Sequence, residues 1–367
     1  MKVDTSHPIK RILVSLAAMA VCFYQSQVMS FELTPIPTKS ERFQANKTSG
    51  IIFKKVFPIV EFGLHRFTTP VHEALTQLGY ECSGTIDECA DVDLDFAGSS
   101  VIAGIRWNDD PPFQFQSGEG NYPGCSTNKS PPPTISFALN TDCWINHFKD
   151  VAAISRSKPD AYAFGNGTML ARSHFGDLQF LHAMAAKVQV SPVQTKAKLM
   201  MWAEFTWRVQ TVSTDYISAE TLTGAVPVFG FQDHFPVQER RSVTDLFTVG
   251  RPWMRNQLED IAFGSLLHMV EDSFAGGHIY RRAVNTGDCQ VPEIVEFHTY
   301  PGQDQQAHKE RDDLDHARAK PILVDVLREL IRLRHTRKSW TEVRPYLDDC
   351  VFRLASDARS SSILIDE

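Results

Sequence analysis

Hydrophobic residues recur at three- and four-residue spacing through much of the chain after residue 168, which is the period of amphipathic helices. The segments predicted to be helical on this ground are 168–187, 195–212, 255–275, 305–334 and 341–355. A shorter helix is predicted over 70–80, with Pro70 at its start. No convincing alternation of apolar and polar positions predicts strands. The pattern therefore favours a mainly α-helical fold.

The stretch 81–166 differs, because it is rich in Pro, Gly, Ser and Cys. Within it, 111–133 is predicted to be loop, and its aromatic residues either line a substrate entrance or pack locally. The chain has 367 residues, of which 43% are hydrophobic, enough for one large domain or two small ones. We assign 31–367 to a single domain, in which the candidate motifs span about 70–315.

The beginning of the chain has the pattern of a signal peptide. Lys2, Lys10 and Arg11 precede an apolar run over 12–24, which is too short for a membrane span. We therefore predict a signal peptide over 1–30 and a secreted protein, periplasmic or extracellular. The alternative is an N-terminal membrane anchor. No transmembrane segment is expected in the mature chain, because no other stretch is long and apolar enough.

Cysteine content agrees with export. The cysteines outside the signal segment are Cys82, Cys89, Cys125, Cys143, Cys289 and Cys350. An even number in an exported chain indicates disulfides, although the sequence leaves the pairing open. Proximity favours Cys82–Cys89 and Cys125–Cys143, which would leave Cys289–Cys350. None lies in a CxxC motif, so a zinc–thiolate site is not expected.

The formal net charge is −7. Proteins that bind nucleic acid by neutralising phosphates are usually basic, so no stable nucleic-acid partner is expected.

Candidate chemistry begins with His268 and Asp272, which are four residues apart and would share one helix face. An imidazole and a carboxylate that converge in this way form half of a divalent metal site. Gly276 and Gly277 are predicted to end the helix and bring His278 round to the same place. The alternative is a core histidine bonded to a helical aspartate.

Two further runs combine imidazole and carboxylate. His308 and Asp312 repeat the four-residue spacing, although their surroundings would equally suit an exposed charged helix. His174 lies on an apolar helix, and Asp177 and His182 are candidates to orient a metal ligand through hydrogen bonds. A lone histidine at such a position is otherwise a core residue.

The remaining candidates lie nearer the N-terminus. Asp109 follows Trp107 before a proline-rich loop, where a simple turn is the alternative. His72 lies on the early helix, where surface charge is the alternative. Imidazole and carboxylate ligands without thiolate suit zinc used for hydrolysis.

The order of these motifs resembles the zinc-dependent phospholipase C and S1/P1 nuclease superfamily, with HxxxDxxxxxH at 268–278 as the most specific match. The resemblance implies an all-helical fold that holds two or three zinc ions. It implies that the first zinc is held by Asp109, His174, His268 and Asp272. The second would be held by His278, His308 and Asp312, and the third by His72 with Asp272 as a bridge. Members of the family commonly add a mature N-terminal Trp, whereas cleavage near residue 30 leaves Phe31 here.

The resemblance also implies an activity. We expect a secreted phospholipase C that hydrolyses the phosphodiester of phospholipids such as phosphatidylcholine, at a membrane surface, by a zinc-activated water. Asp109 is the candidate catalytic residue, because it could orient that water or accept its proton. One alternative is an S1/P1-type single-strand nuclease. An alternative of another class is a non-catalytic secreted binding protein stabilised by zinc.

Overall fold

A computed structural model gives the fold. The residues that it describes are 70–86, 88–90, 94, 96–115, 125, 133–137, 140–158, 160–163, 166–211, 215–235, 241–249, 257–283, 289–300 and 321–361. The predicted signal peptide, His308 and Asp312 lie outside these residues. Among the described helices, none is long and apolar enough to cross a membrane.

The described part of the chain is mainly α-helical, as predicted. Its α-helices are α1 (Val71–Gly79), α2 (Ser99–Ile105), α3 (Thr141–Ser157), α4 (Met169–Phe175), α5 (Pro192–Gln210), α6 (Val243–Thr248), α7 (Leu258–Asp272), α8 (Pro321–His335) and α9 (Trp340–Tyr346). Its strands are β1 (Ile279–Arg282), β2 (Glu293–His298) and β3 (Leu354–Ser361). The helices α1, α5 and α7 lie where the periodicity predicts them.

Helix α7 lies in the middle of the main core and contacts α2, α5 and α1. It crosses α2 where two glycines face each other. A Cβ added to Gly264 would lie 2.2 Å from the carbonyl oxygen of Val101, and one added to Gly104 would lie 2.3 Å from that of Ile261. Only residues without a side chain allow this approach. The crossing brings the C-terminal end of α2 against the residues of α7 that carry chemistry.

The expectation of an all-helical domain is wrong, because the described residues also form strands. The described strands make one sheet in the order β1-β2-β3, in which β1 pairs antiparallel with β2 and β2 pairs parallel with β3. The helix predicted over 341–355 ends at Tyr346, passes through a π-helical turn over Leu347–Val351, and continues as β3. Much of β3 is polar and partly exposed, so its own sequence carries no alternating pattern.

The helix predicted over 168–187 is also shorter than expected. It ends at Phe175, because Gly176 adopts an extended conformation close to the backbone of Tyr162. The chain then forms a 3-10 turn over Gln179–His182. Conversely, the stretch 81–166, for which the sequence predicts no helix, contains α2 and α3. Their short apolar faces are buried although proline-rich segments flank them.

Three disulfides join Cys82 to Cys89, Cys125 to Cys143, and Cys289 to Cys350. These are the pairs that proximity in the sequence favours, so the predicted pairing is confirmed. The first fastens the end of α1, the second fastens the proline-rich segment to α3, and the third ties the approach to β2 to the π-helical turn before β3. Disulfides of this kind are typical of secreted proteins.

Candidate metal centre

Five histidines and two aspartates meet inside the protein although they are far apart in the sequence. They are His72 from α1, Asp109 from the turn after α2, His174 from α4, His182 from the 3-10 turn, His268 and Asp272 from α7, and His278 from the turn before β1. Their exposed fractions are all 0% or 1%. Such burial of ionisable groups is costly unless they pair or bind a metal.

The first group is formed by His72, His268 and Asp272, whose potential ligand atoms lie within 4.8 Å of one another. The Nε2 atom of His268 lies 3.0 Å from Oδ2 of Asp272, and Nε2 of His72 lies 3.4 Å from its Oδ1. The two imidazole rings are stacked, with centroids 4.0 Å apart. One carboxylate therefore faces two imidazoles through different oxygens.

The second group is formed by Asp109, His174 and His182, again with potential ligand atoms within 4.8 Å of one another. Oδ1 of Asp109 lies 3.8 Å from Nε2 of His174 and 3.6 Å from Nδ1 of His182. These separations are too long for hydrogen bonds, but they are close to the spacing of two ligands of one cation.

The two groups are contiguous. His182 Nδ1 lies 2.9 Å from Asp272 Oδ2 and 3.2 Å from His268 Nε2. Asp109 Oδ1 lies 3.9 Å from His268 Nε2. Asp272 thus joins the groups, because its two oxygens face histidines of both.

The backbone fixes which nitrogen of each ring is protonated. His268 Nδ1 is 2.7 Å from the carbonyl oxygen of Ile105, and His278 Nδ1 is 2.5 Å from that of His182. A carbonyl oxygen only accepts, so Nδ1 carries the proton and Nε2 of the neutral ring carries a lone pair. His174 Nδ1 contacts the carbonyl oxygen of Leu170 at 3.1 Å in the same way. This is the orientation that metal-binding histidines use.

Several buried atoms of the cluster have no hydrogen-bond partner among the described residues. They are both carboxylate oxygens of Asp109, Nε2 of His174 and Nε2 of His182. A buried polar atom without a partner costs about 1–3 kcal/mol, more when it is charged. Lone-pair atoms that converge without donors to satisfy them fit a divalent cation, so the residues present suit a metal.

The protonation states of the clustered histidines also suit metal binding. Burial lowers the pKa of His174 well below its usual range and that of His182 to about 4, so both rings are neutral. Burial would also lower the pKa of His268, but Asp272 and Asp109 outweigh it and raise the pKa to about 9. Burial raises the pKa of Asp109 well above its usual range. In the metal-free protein, a proton on His268 therefore supplies positive charge to the ionised carboxylate of Asp272. A bound cation would take over that role and release the proton.

The cluster agrees with the predicted set of residues in part. It brings together His72, Asp109, His174, His268 and Asp272, and Nδ1 of His278 lies 3.7 Å from Asp272 Oδ1. Their division differs from the expected one, because His268 and Asp272 group with His72, while Asp109 and His174 group with His182. The expected grouping of His278 with His308 and Asp312 falls partly outside the described residues.

The two residues expected to orient ligands have different environments. His182 lies within the cluster, where its ring contacts Asp272. Asp177 lies apart from it: its carboxylate accepts hydrogen bonds from Arg172 at 2.7 and 2.8 Å and contacts His234 Nδ1 at 3.1 Å. Asp177 therefore anchors α4 to the segment around His234 and is not placed to orient a ligand histidine.

Sequence reasoning missed Glu271, which lies beside Asp272 in the chain. Its fully buried carboxylate contacts His72 Nδ1 and Thr76 Oγ1, each at 2.7 Å. Burial raises the pKa of this carboxyl well above its usual range. Glu271 turns Nε2 of His72 towards Asp272. In the sequence, Glu271 is only an acid beside the candidate ligand Asp272. Its contact with His72 depends on the packing of α1 on α7.

No protein-family model matches the chain, and neither a curated protein nor a solved structure matches it. The geometry of the cluster therefore stands as the basis for assigning a function.

Replacing Glu271 with glutamine should weaken metal binding without unfolding the protein. The side chain keeps its size, but an amide replaces the carboxyl group that His72 contacts. Removal of a hydrogen-bond partner behind a metal ligand typically lowers metal affinity about 10–100-fold. Titration with zinc against a competing chelator measures the change. Glu259→Gln removes a charge from an exposed position of the same helix and should leave the affinity unchanged. Equal affinity in both variants would remove Glu271 from the metal centre.

Proposed function

We propose that the protein is a zinc-dependent phosphoric ester hydrolase and that phospholipids are its substrates. The observation that carries the proposal is the pair of contiguous buried groups, His72–His268–Asp272 and Asp109–His174–His182, which Asp272 joins. Zinc is the metal that best matches these donors, because they combine imidazole and carboxylate and contain no thiolate.

The clustered residues would have different roles in hydrolysis. His268 and Asp272 would hold metal at the centre, and His72 and His174 would hold it on either side. Asp109 is the residue best suited to accept a proton from water, because both its oxygens are buried and have no hydrogen-bond partner among the described residues. Bound zinc would supply Lewis acidity, which polarises phosphoryl oxygen and makes water a stronger nucleophile at neutral pH.

A purely structural role for the metal is the alternative of another class. Structural zinc sites are usually closed, with four protein ligands around one ion. Here one carboxylate is shared between neighbouring groups, and the fold already carries disulfides. A multi-ion arrangement of that kind favours catalysis on phosphate esters, in which two ions can stabilise attacking and leaving oxygens.

Two features favour lipid over nucleic acid as substrate. The chain is acidic, with a formal net charge of −7, whereas phosphate-binding nuclease surfaces are usually basic. Phe229 is also 98% exposed, in a segment that His234 ties to α4 through Arg172 and Asp177. A fully exposed aromatic residue on an anchored turn suits insertion at a lipid interface.

The deciding experiment compares substrates on the purified mature protein. We expect hydrolysis of phosphatidylcholine vesicles and of a soluble chromogenic phosphorylcholine ester, both abolished by a chelator and restored by zinc. Phe229→Ser should lower vesicle hydrolysis several-fold and leave the soluble ester unaffected, because only the interface needs an apolar anchor. Val193→Ser, at a position 69% exposed on α5, is the matched control.

Single-stranded DNA is the competing substrate in the same assay. Turnover of DNA without turnover of either choline ester would replace the lipid assignment with the nuclease one. Stoichiometric zinc without turnover of any of the three substrates would favour the non-catalytic binding protein.

A further inference from the structure

A polar cavity lies at the opposite end of α7 from the candidate metal centre. Its volume is about 560 Å³, within the range of about 300–1,000 Å³ typical of small-molecule sites. The ends of α1, α5 and α8 and the first turn of α7 form its walls. Asp260 of this cavity and His268 of the metal centre are eight positions apart on α7, which corresponds to about 12 Å along the helix. The two sites are therefore separate.

Two buried polar side chains line this cavity without partners. Gln210 is 4% exposed, and neither its amide nitrogen nor its amide oxygen has a hydrogen-bond partner among the described residues. Thr211 is 3% exposed, and its hydroxyl is likewise without a partner. Each such group costs about 1–3 kcal/mol in a folded protein. Both side chains line the cavity, so a molecule bound there could satisfy them.

The charges of the cavity argue against an anionic ligand. Its acids, Glu259 and Asp260, balance its arginines, Arg334 and Arg337. Arg334 is also committed, because it pairs with Asp260 at 2.5 Å and its guanidinium lies 4.6 Å from the ring centre of Phe263. The unsatisfied groups are thus neutral, and they offer both donors and acceptors.

The walls of the cavity supply an apolar surface beside these groups. Tyr80 and His335 contact each other edge to face, with ring centroids 6.3 Å apart. An aromatic surface next to an amide and a hydroxyl suits a ligand that has hydroxyl groups around its edge and an apolar ring face. A sugar ring has this chemistry.

We propose that this cavity binds a neutral sugar, with Gln210 and Thr211 hydrogen-bonded to its hydroxyl groups. The ligand is either a free sugar or the terminal unit of a glycan, and the two sources share the same chemistry in the cavity. The site is distinct from the metal centre and does not depend on the function proposed for it.

The test is saturation-transfer NMR and calorimetry on the full mature chain. The probes are glucose, galactose and N-acetylglucosamine, each free and as its β-methyl glycoside, with inorganic phosphate as the anionic comparison. We expect millimolar or tighter binding of at least one sugar and none of phosphate. Preference for the glycoside would identify a glycan end as the natural source, and preference for the free sugar would identify a free ligand.

Two substitutions of similar size test whether any sugar binding occurs in this cavity. Gln210→Met and Thr211→Val should each weaken sugar binding about tenfold, because a ligand hydroxyl loses its partner. Neither should lower the melting temperature, since each removes a polar atom that the free protein leaves unsatisfied. Zinc content should stay at the wild-type level. Sugar binding unchanged in both variants, binding of phosphate alone, or no binding of any probe would each overturn the proposal.

Discussion

Asp272→Asn should prevent metal binding and abolish the hydrolysis that we propose. Asparagine keeps the size of the side chain but cannot supply the negative charge that the surrounding imidazoles face. Burial alone would raise the pKa of Asp272, but His278 and His268 outweigh it and hold the pKa well below its usual range. The carboxylate is therefore ionised even without metal. Removing the partner that supports a metal ligand typically lowers metal affinity about 10–100-fold. Loss of the ligand itself should lower metal affinity by more than this.

Metal content by elemental analysis and turnover of the phosphorylcholine ester check this expectation together. Asp233→Asn changes an exposed aspartate and should alter neither. Near-ultraviolet circular dichroism shows whether the Asp272 variant remains folded. A folded Asp272→Asn protein with wild-type zinc content and activity would rule out Asp272 as the shared ligand.

Gly264→Ala should destabilise the protein strongly, although alanine is the better helix former. The gain in helix propensity is about 1 kcal/mol. Against it, the new Cβ would lie 2.2 Å from the carbonyl oxygen of Val101 and 2.6 Å from the amide nitrogen of Ile105. Backbone cannot give way as a side chain does, so α2 and α7 must move apart, at a cost of about 3 kcal/mol or more. The net change is a loss of stability, which chemical denaturation measures.

Gly98→Ala is the comparison for this variant. A Cβ at Gly98 meets nothing within 4 Å, and its cost comes from a φ of 74° alone. With a ψ of 143°, this conformation is strongly disfavoured for residues other than glycine, at a cost of about 1–3 kcal/mol. Separation of α2 and α7 would also draw the carbonyl of Ile105 away from His268, so zinc affinity should fall only in the Gly264 variant. If Gly264→Ala were as stable as wild type, the close crossing of the two helices would be wrong.

The elements that the sequence predicts well are those whose own pattern determines them. Helix α7 is buried nearly throughout, and its long apolar pattern predicts a helix. The glycines that follow it indicate where the helix ends. Strand β3 is different, because it is polar and is a strand only through pairing with β2. Helix α3 carries Trp144, Phe148 and Val151 at helical spacing, but the Pro-, Gly- and Ser-rich composition of the region obscures this short pattern.

The same distinction applies to the candidate metal centre. His268 and Asp272 are predictable because both lie on one helix and their spacing alone puts them on one face. His182 and Glu271 are not, because their roles depend on contacts between distant parts of the chain. The position of His182 follows from the break at Gly176 and the turn after it. The role of Glu271 follows from the packing of α1, which supplies His72 and Thr76.

The late position of β3 separates two stages of assembly. All described residues of the metal centre lie between His72 and His278, so they have been synthesised well before Leu354, where β3 begins. Until β3 arrives, one edge of β2 keeps its N–H and C=O groups unpaired, and such an edge can recruit strands from other chains. The bond between Cys289 and Cys350 holds β3 close to that edge. We therefore expect a protein shortened before Leu354 to aggregate, as light scattering would show, although its candidate metal-binding residues are intact.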